Sequence, residues 1–192
     1  YDIIMLTILS FRKCLVFVLL VGFASTVFHS LALWDILPWH VVYSDVLGFF
    51  DKAIAPGLPY LEKSLEYPVL SGLFIQIIGY LSFGSRFAYY FLSTLFLVLC
   101  AVLATFILYK TATEEERKRM RLFWIFAPSM FIFLIHNWDM WAILFVVASF
   151  YFIRKEKWLY AAAFIAFGFS AKVFTVIYLA PILVVVRPLY ER

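Results

Sequence analysis

The chain has 192 residues, 66% hydrophobic, 21% aromatic and only 15% charged, with mean hydropathy +0.97 and formal net charge +4. Soluble domains hold roughly 45–50% apolar and about 25% charged residues, so this composition excludes a soluble enzyme, a nucleic-acid binder and a disordered tail. It predicts an all-α, polytopic membrane helix bundle and turns attention to the polar residues that a bilayer would have to tolerate.

A membrane helix needs ~20 apolar residues. Residues 14–33 form the first such run, with Arg12 and Lys13 before it and Trp34 and Trp39 after it, placed as an interface belt. The run is too long for the apolar core of a signal peptide and no A-x-A site follows it, so it reads as a retained span. Residues 34–66 carry Asp35, Asp45, Asp51, Glu62 and Glu66 against Lys52 and Lys63, with apolar residues between, which predicts a folded outer loop on the membrane surface. Residues 67–84 are apolar but broken by Pro68, Gly72 and Gly79. Residues 86–109 make a full-length span, and 110–121 carry the densest charge, where Thr113 followed by acids and then bases predicts a short solvated helix. Apolar stretches at 122–135, 140–153, 158–170 and 173–186 follow, separated by the break at 136–139, by 154–157 and by Lys172. The pattern predicts about six transmembrane helices plus a re-entrant or juxtamembrane helix in one membrane domain over 1–192: 14–33 the first span, 34–84 the outer loop and juxtamembrane helix, and 86–186 the remaining helices. Cys14 and Cys100 lie inside apolar runs and read as small packing residues.

Basic residues collect on the cytoplasmic side of a membrane. That rule places Arg12, Lys13, residues 110–121, the surroundings of Lys155, and Arg187 inside. Residues 34–66, 136–139 and Lys172 then face outward, and 67–84 does not cross. If 67–84 crossed, every later loop would flip and the charge rule would fail.

Ionisable groups at membrane depth are costly and mark function. Asp45, Glu66, His136, Asp139 and Lys172 gather on one face in this arrangement. Asp45, in Tyr43-Ser44-Asp45-Val46, taken alone fits a helix-capping pair with Ser44 before it fits a general base for a hydroxyl. Glu66 fits a second site carboxylate or a helix cap before Pro68. His136-Asn137-Trp138-Asp139 fits cation or hydroxyl binding, or a cap for the next helix. Lys172, apolar on both sides, fits a phosphate partner or a side chain reaching for the interface.

The order of these pieces resembles the GT-C glycosyltransferases that use polyprenyl-phosphate sugars, nearest the PIG-M-like and related prokaryotic mannosyltransferases. Tyr43-Ser44-Asp45-Val46 is similar to that family's outer-loop Tyr-Thr-Asp-Ile. Gly57-Leu58-Pro59-Tyr60 and Glu66-Tyr67-Pro68-Val69-Leu70 resemble its Pro-Tyr and Tyr-Thr/Pro-Pro-Leu stretch. Ala171-Lys172-Val173-Phe174 and the residues after it resemble its Lys-Ile-Tyr-Pro segment. Family members are longer, so the resemblance covers an amino-terminal module, for which a second membrane subunit would supply further helices. Leu47 stands where the family often has a second Asp, which leaves the family's divalent cation open here, with Asp45 and Asp139 as its ligands if it is used.

The resemblance implies an inverting transfer of a mannose-like sugar from a polyprenyl-phosphate donor to a lipid or glycan hydroxyl. Asp45 would be the catalytic base, and Glu66, Tyr67, His136, Asn137, Asp139 and Lys172 would bind substrate. The site would face the extracytoplasmic side of the plasma membrane or the endoplasmic reticulum. Two other classes stay open: a non-catalytic or structural membrane subunit that keeps the module, and a small transporter.

Overall fold

A computed structural model of the chain describes residues 10–180 and 183–184. The described residues are helical with connecting turns, apart from one isolated bridge between Pro59 and Lys63. Among the described residues two helices are long and apolar enough to cross a membrane: α1 (Phe11–Ser30, 20 residues) and, further along, Arg86–Thr111 (26 residues). Between them come α2 (Asp45–Gly48), α3 (Phe50–Ile54) and α4 (Val69–Leu81); Arg86–Thr111 is α5. After it come α6 (Glu114–Met120), a π-helical turn (Arg121–Ile125), α7 (Pro128–Phe133), α8 (Asp139–Arg154), α9 (Trp158–Ala171) and a 3-10 turn (Val173–Tyr178).

Cross-helix contacts give the chain two distinct ends. Phe11 packs on Phe106 and Tyr109, whereas Tyr90 Oη donates to the Thr26 carbonyl at 2.7 Å. Helices α1 and α5 are therefore antiparallel. Helix α8 starts with Trp141 on Phe96, 5.4 Å between ring centroids. It ends with Arg154 donating to the Thr111 carbonyl, so it runs parallel to α5. Helix α9 returns alongside, with Phe152 stacked on Tyr160 and Phe164, and brings Lys172 back beside Asp139. Arg12, Lys13, Lys110, α6, Arg154 and Lys155 thus share one end, and residues 34–66, 136–139 and Lys172 share the other.

Helix α4 begins and ends at that second end. Ser71 Oγ donates to the Ala171 carbonyl at 2.7 Å and accepts from Trp141 Nε1 at 3.0 Å. Eight residues later Gly79 lies against Ala53 of α3. At 13 residues α4 is about 20 Å long, and the contacts at both its ends are with residues of that second end.

A Cβ at Gly79 would stand 2.4 Å from the Ala53 carbonyl oxygen, a backbone atom that cannot swing aside. Gly79→Ala is expected to push α3 off α4 and lower stability by about 1–3 kcal/mol, read as a lower melting temperature in detergent.

The basic end is built as its sequence predicts. Thr113 and Glu116 form a reciprocal capping box on α6, and Glu116 also pairs with Arg154, which lowers its carboxyl to about 2. Cys14 and Cys100 are buried. The shorter apolar segments differ from single uninterrupted stretches. Residues 122–135 break at Pro128, which has no amide proton and forces Ala127 extended (φ −64°, ψ 129°). The run at 173–186 opens as a 3-10 turn; its residues 181–182 and 185–186, with Arg187, lie outside the described residues. Helices α8 and α9 have 16 and 14 residues.

Candidate functional site

The segment around Asp45 is sewn to the break at 136–139 by three bonds. Ser44 Oγ donates to the Ile135 carbonyl at 2.6 Å. The Asp45 amide donates to the His136 carbonyl at 2.7 Å. His136 Nδ1 lies 3.1 Å from the Tyr43 carbonyl. Ser44 occupies the N-cap position of α2, but its hydroxyl is spent on Ile135 and makes no cap bond. The Asp45 carboxylate is likewise free of capping. Its Oδ1 accepts from the Tyr43 hydroxyl, and its Oδ2 accepts from the Tyr67 hydroxyl at 2.8 Å.

Tyr67 is the centre of the cluster. Its backbone is held by Tyr60 Oη, which donates to the carbonyls of Tyr67 (2.6 Å) and Pro68 (2.9 Å). Gly72 makes room for that phenol, since a Cβ there would stand 1.8 Å from Tyr60 Oη. Phe49 packs edge-on against the Tyr67 ring. Over the ring, 4.3 Å from its centroid, sits Lys172 Nζ, which pairs with Asp139 Oδ1 at 2.8 Å. An acid, a phenol, an ammonium and a second acid therefore run in sequence across the same end of the bundle.

Backbone breaks place the last two groups. Helix α9 stops at Ala171, Lys172 is extended (φ −152°, ψ 128°), and the 3-10 turn begins one residue later. The break aims the ammonium inward rather than along a helix face. Asn137 Oδ1 accepts the Asp139 amide proton at 3.0 Å. Asn137 thus does the capping work, and the Asp139 carboxylate is left to Lys172. Glu66 is not drawn into the cluster; it pairs with Lys52 at the exposed rim. His136 packs edge-on to Tyr43 and Phe133.

Both phenols are kept protonated. The hydrogen bond to Asp45, with some burial, pushes Tyr43 up to about 12, and burial followed by the Asp45 bond raises Tyr67 further. A phenol raised above its unfolded value of 10.0 contributes stability that is complete below that pH and is lost as pH climbs through about 12. Asp45→Asn is expected to return the Tyr43 titration toward 10, read as phenolate absorbance against a Tyr43→Phe control.

Two residues of this end are given no role by the sequence. Tyr43 enters there only as the start of the Tyr43-Ser44-Asp45-Val46 motif. His29, 2% exposed at the end of α1, sets its two ring nitrogens 3.0 and 3.1 Å from the Val42 and Ile132 carbonyls, tying the outer loop to α7. An ionisable side chain inside an apolar run was the available signal.

No group of three or more His, Cys, Asp or Glu converges among the described residues; Asp45, which accepts from two phenols, and Asp139, which pairs with Lys172, are the carboxylates at the cluster. No protein-family model, curated protein or solved structure matches the chain.

Proposed function

We propose that this chain is the amino-terminal module of a multi-pass, GT-C-type membrane glycosyltransferase, which moves a mannose-like sugar from a polyprenyl-phosphate donor to a hydroxyl of a lipid or glycan acceptor. The observation that carries the reading is the junction of Asp45 to Lys172 through Tyr67, at the end of the bundle away from the basic loops. By the charge rule that end is extracytoplasmic. A tailed phosphate held at a membrane surface needs this pairing: an acceptor for the attacking hydroxyl's proton and a cation for the leaving phosphate.

In the inverting step the acceptor O–H gives its proton to Asp45 while its oxygen forms the new bond to the anomeric carbon. The carbon–oxygen bond to phosphate breaks, and its electron pair leaves on the polyprenyl phosphate. Each Asp45 oxygen already takes one phenol proton and has a further lone pair for the acceptor hydroxyl. Lys172 is ion-paired with Asp139, and its three N–H groups are the donors that would meet phosphate oxygens. Asn137 and His136, beside Asp139 and Tyr43, are the hydroxyl-positioning groups of this reading, and Glu66, paired with Lys52 at the rim, is left out of it. No step uses a metal.

A second reading has its own support. The Lys172–Asp139 pair joins the start of α8 to the end of α9, which is what a structural clasp in a non-catalytic subunit would do. The deciding experiment incubates the purified full chain in vesicles with a labelled polyprenyl-phosphate mannose and a hydroxyl acceptor. Labelled product that depends on Asp45 supports transfer. A wild-type chain that gives no product and does not retain the donor overturns it.

A further inference from the structure

We propose a second ligand site at the opposite, basic end: a groove between α5 and α8 that takes an anionic phospholipid, one acyl chain along the groove and its phosphate at the mouth. It does not depend on the transferase reading and requires only that these helices lie in a bilayer.

The register of the two helices builds it. On α5, Leu103, Phe106 and Lys110 follow one another at helical spacing and share one stripe. On α8, Phe145, Ala148 and Phe152 do the same, with Arg154 and Lys155 closing the helix. Both stripes are apolar until their last turn, and both end in cations. Together they line a cavity of about 930 Å³, within the roughly 300–1,000 Å³ range of small-molecule sites. From Phe145 to Lys155 the wall runs about 15 Å.

The charges around the mouth are not equivalent. Arg154 is engaged by Glu116 and the Thr111 carbonyl. Glu156 follows directly after Lys155. Lys110 is exposed and lies 5.8 Å from the ring centroids of both Phe11 and Phe106; Lys155 is also exposed. Lys110 and Lys155 are the cations placed to meet an anion.

Depth selects the occupant. The cations stand where α5 and α8 reach the end of their apolar length, which is where the phosphate of a chain lying in the groove would sit. Basic pockets between membrane helices bind anionic headgroups in this way. A free anion would have no use for the apolar wall, and a neutral lipid would have no use for the cations.

The test purifies the full chain in a neutral detergent and offers phosphatidylglycerol and phosphatidylcholine of equal chain length, with bound lipid read by native mass spectrometry. The expected result is phosphatidylglycerol retained about tenfold over phosphatidylcholine, and a ratio near unity for the Lys110→Gln/Lys155→Gln double variant. Leu103→Trp, at a half-exposed wall position (51%), fills the groove without touching the charges. It is expected to reduce phosphatidylglycerol retention with the melting temperature unchanged. Equal retention of the two lipids by wild type overturns the proposal. So does an unchanged ratio in the double variant, glycerol phosphate competing as well as the intact lipid, or a lipid-free dimer whose contact Leu103→Trp breaks. If the double variant melts early, the Leu103→Trp result decides.

Discussion

Asp45→Asn is expected to lower sugar transfer by about 10²–10⁴-fold, the range a positioned general base contributes. The substitution is nearly isosteric, and its amide oxygen can still accept from one of the two phenols, Tyr43 or Tyr67. It cannot receive a proton from the acceptor hydroxyl at useful pH. The loss should therefore fall on turnover and leave donor retention close to wild type, because the donor's phosphate is met by Lys172 and not by Asp45. Kinetics over a range of donor concentrations separate the two. An unchanged rate removes Asp45 from the chemistry. A rate that falls only because the donor no longer binds makes it a positioning residue.

Lys172→Met should reduce transfer by about 10²–10³-fold, the cost of deleting one preorganised group facing charge that develops in the transition state. The same change strands Asp139 without its partner. Removing one member of a fully buried ion pair costs about 3–5 kcal/mol, and this pair retains some water, with side chains 21% and 31% exposed, so ~2 kcal/mol of lost stability is the expected scale. Asp139→Asn distinguishes chemistry from clasp. If Lys172 serves the leaving phosphate, Asp139→Asn frees the ammonium and lowers transfer far less than Lys172→Met. If the pair is a clasp, both single variants lose equal stability, and the double variant Lys172→Met/Asp139→Asn recovers part of it, since no uncompensated charge is left. Thermal unfolding and transfer rates on the same four proteins decide between the two.

The site's chemistry was partly readable from the chain. Asp45, Asp139 and Lys172 stood out because each is charged within apolar surroundings, where a charge must have a partner. The partners themselves were not readable. One local rule, helix capping, competed with longer-range partners for the same side chains. Ser44, Glu66 and Asp139 each had a credible capping role, and the structure gives that role to none of them. Ser44 is taken by Ile135, Glu66 by Lys52 and Asp139 by Lys172, and the α8 amide falls to Asn137. Tyr67, expected as one of several substrate-binding residues, is the group that touches both Asp45 and Lys172. Its role depends on Tyr60 and Gly72 holding its backbone, a contact no spacing rule contains.

What the sequence determined by itself was an apolar, helical chain with two segments long enough to cross a membrane. The two-thirds apolar composition and the spanning length of α1 and α5 bear on transfer free energy, which is additive along a chain and needs no fold to evaluate. Tertiary structure decided which polar atoms meet. Residues 45, 67, 139 and 172 are brought together by the antiparallel return of α9, by the short α4 that begins and ends at the same end, and by helix breaks at Pro128 and Lys172. Hydrogen bonds and ion pairs depend on ångström-scale distance and direction, and those are fixed only when the helices pack.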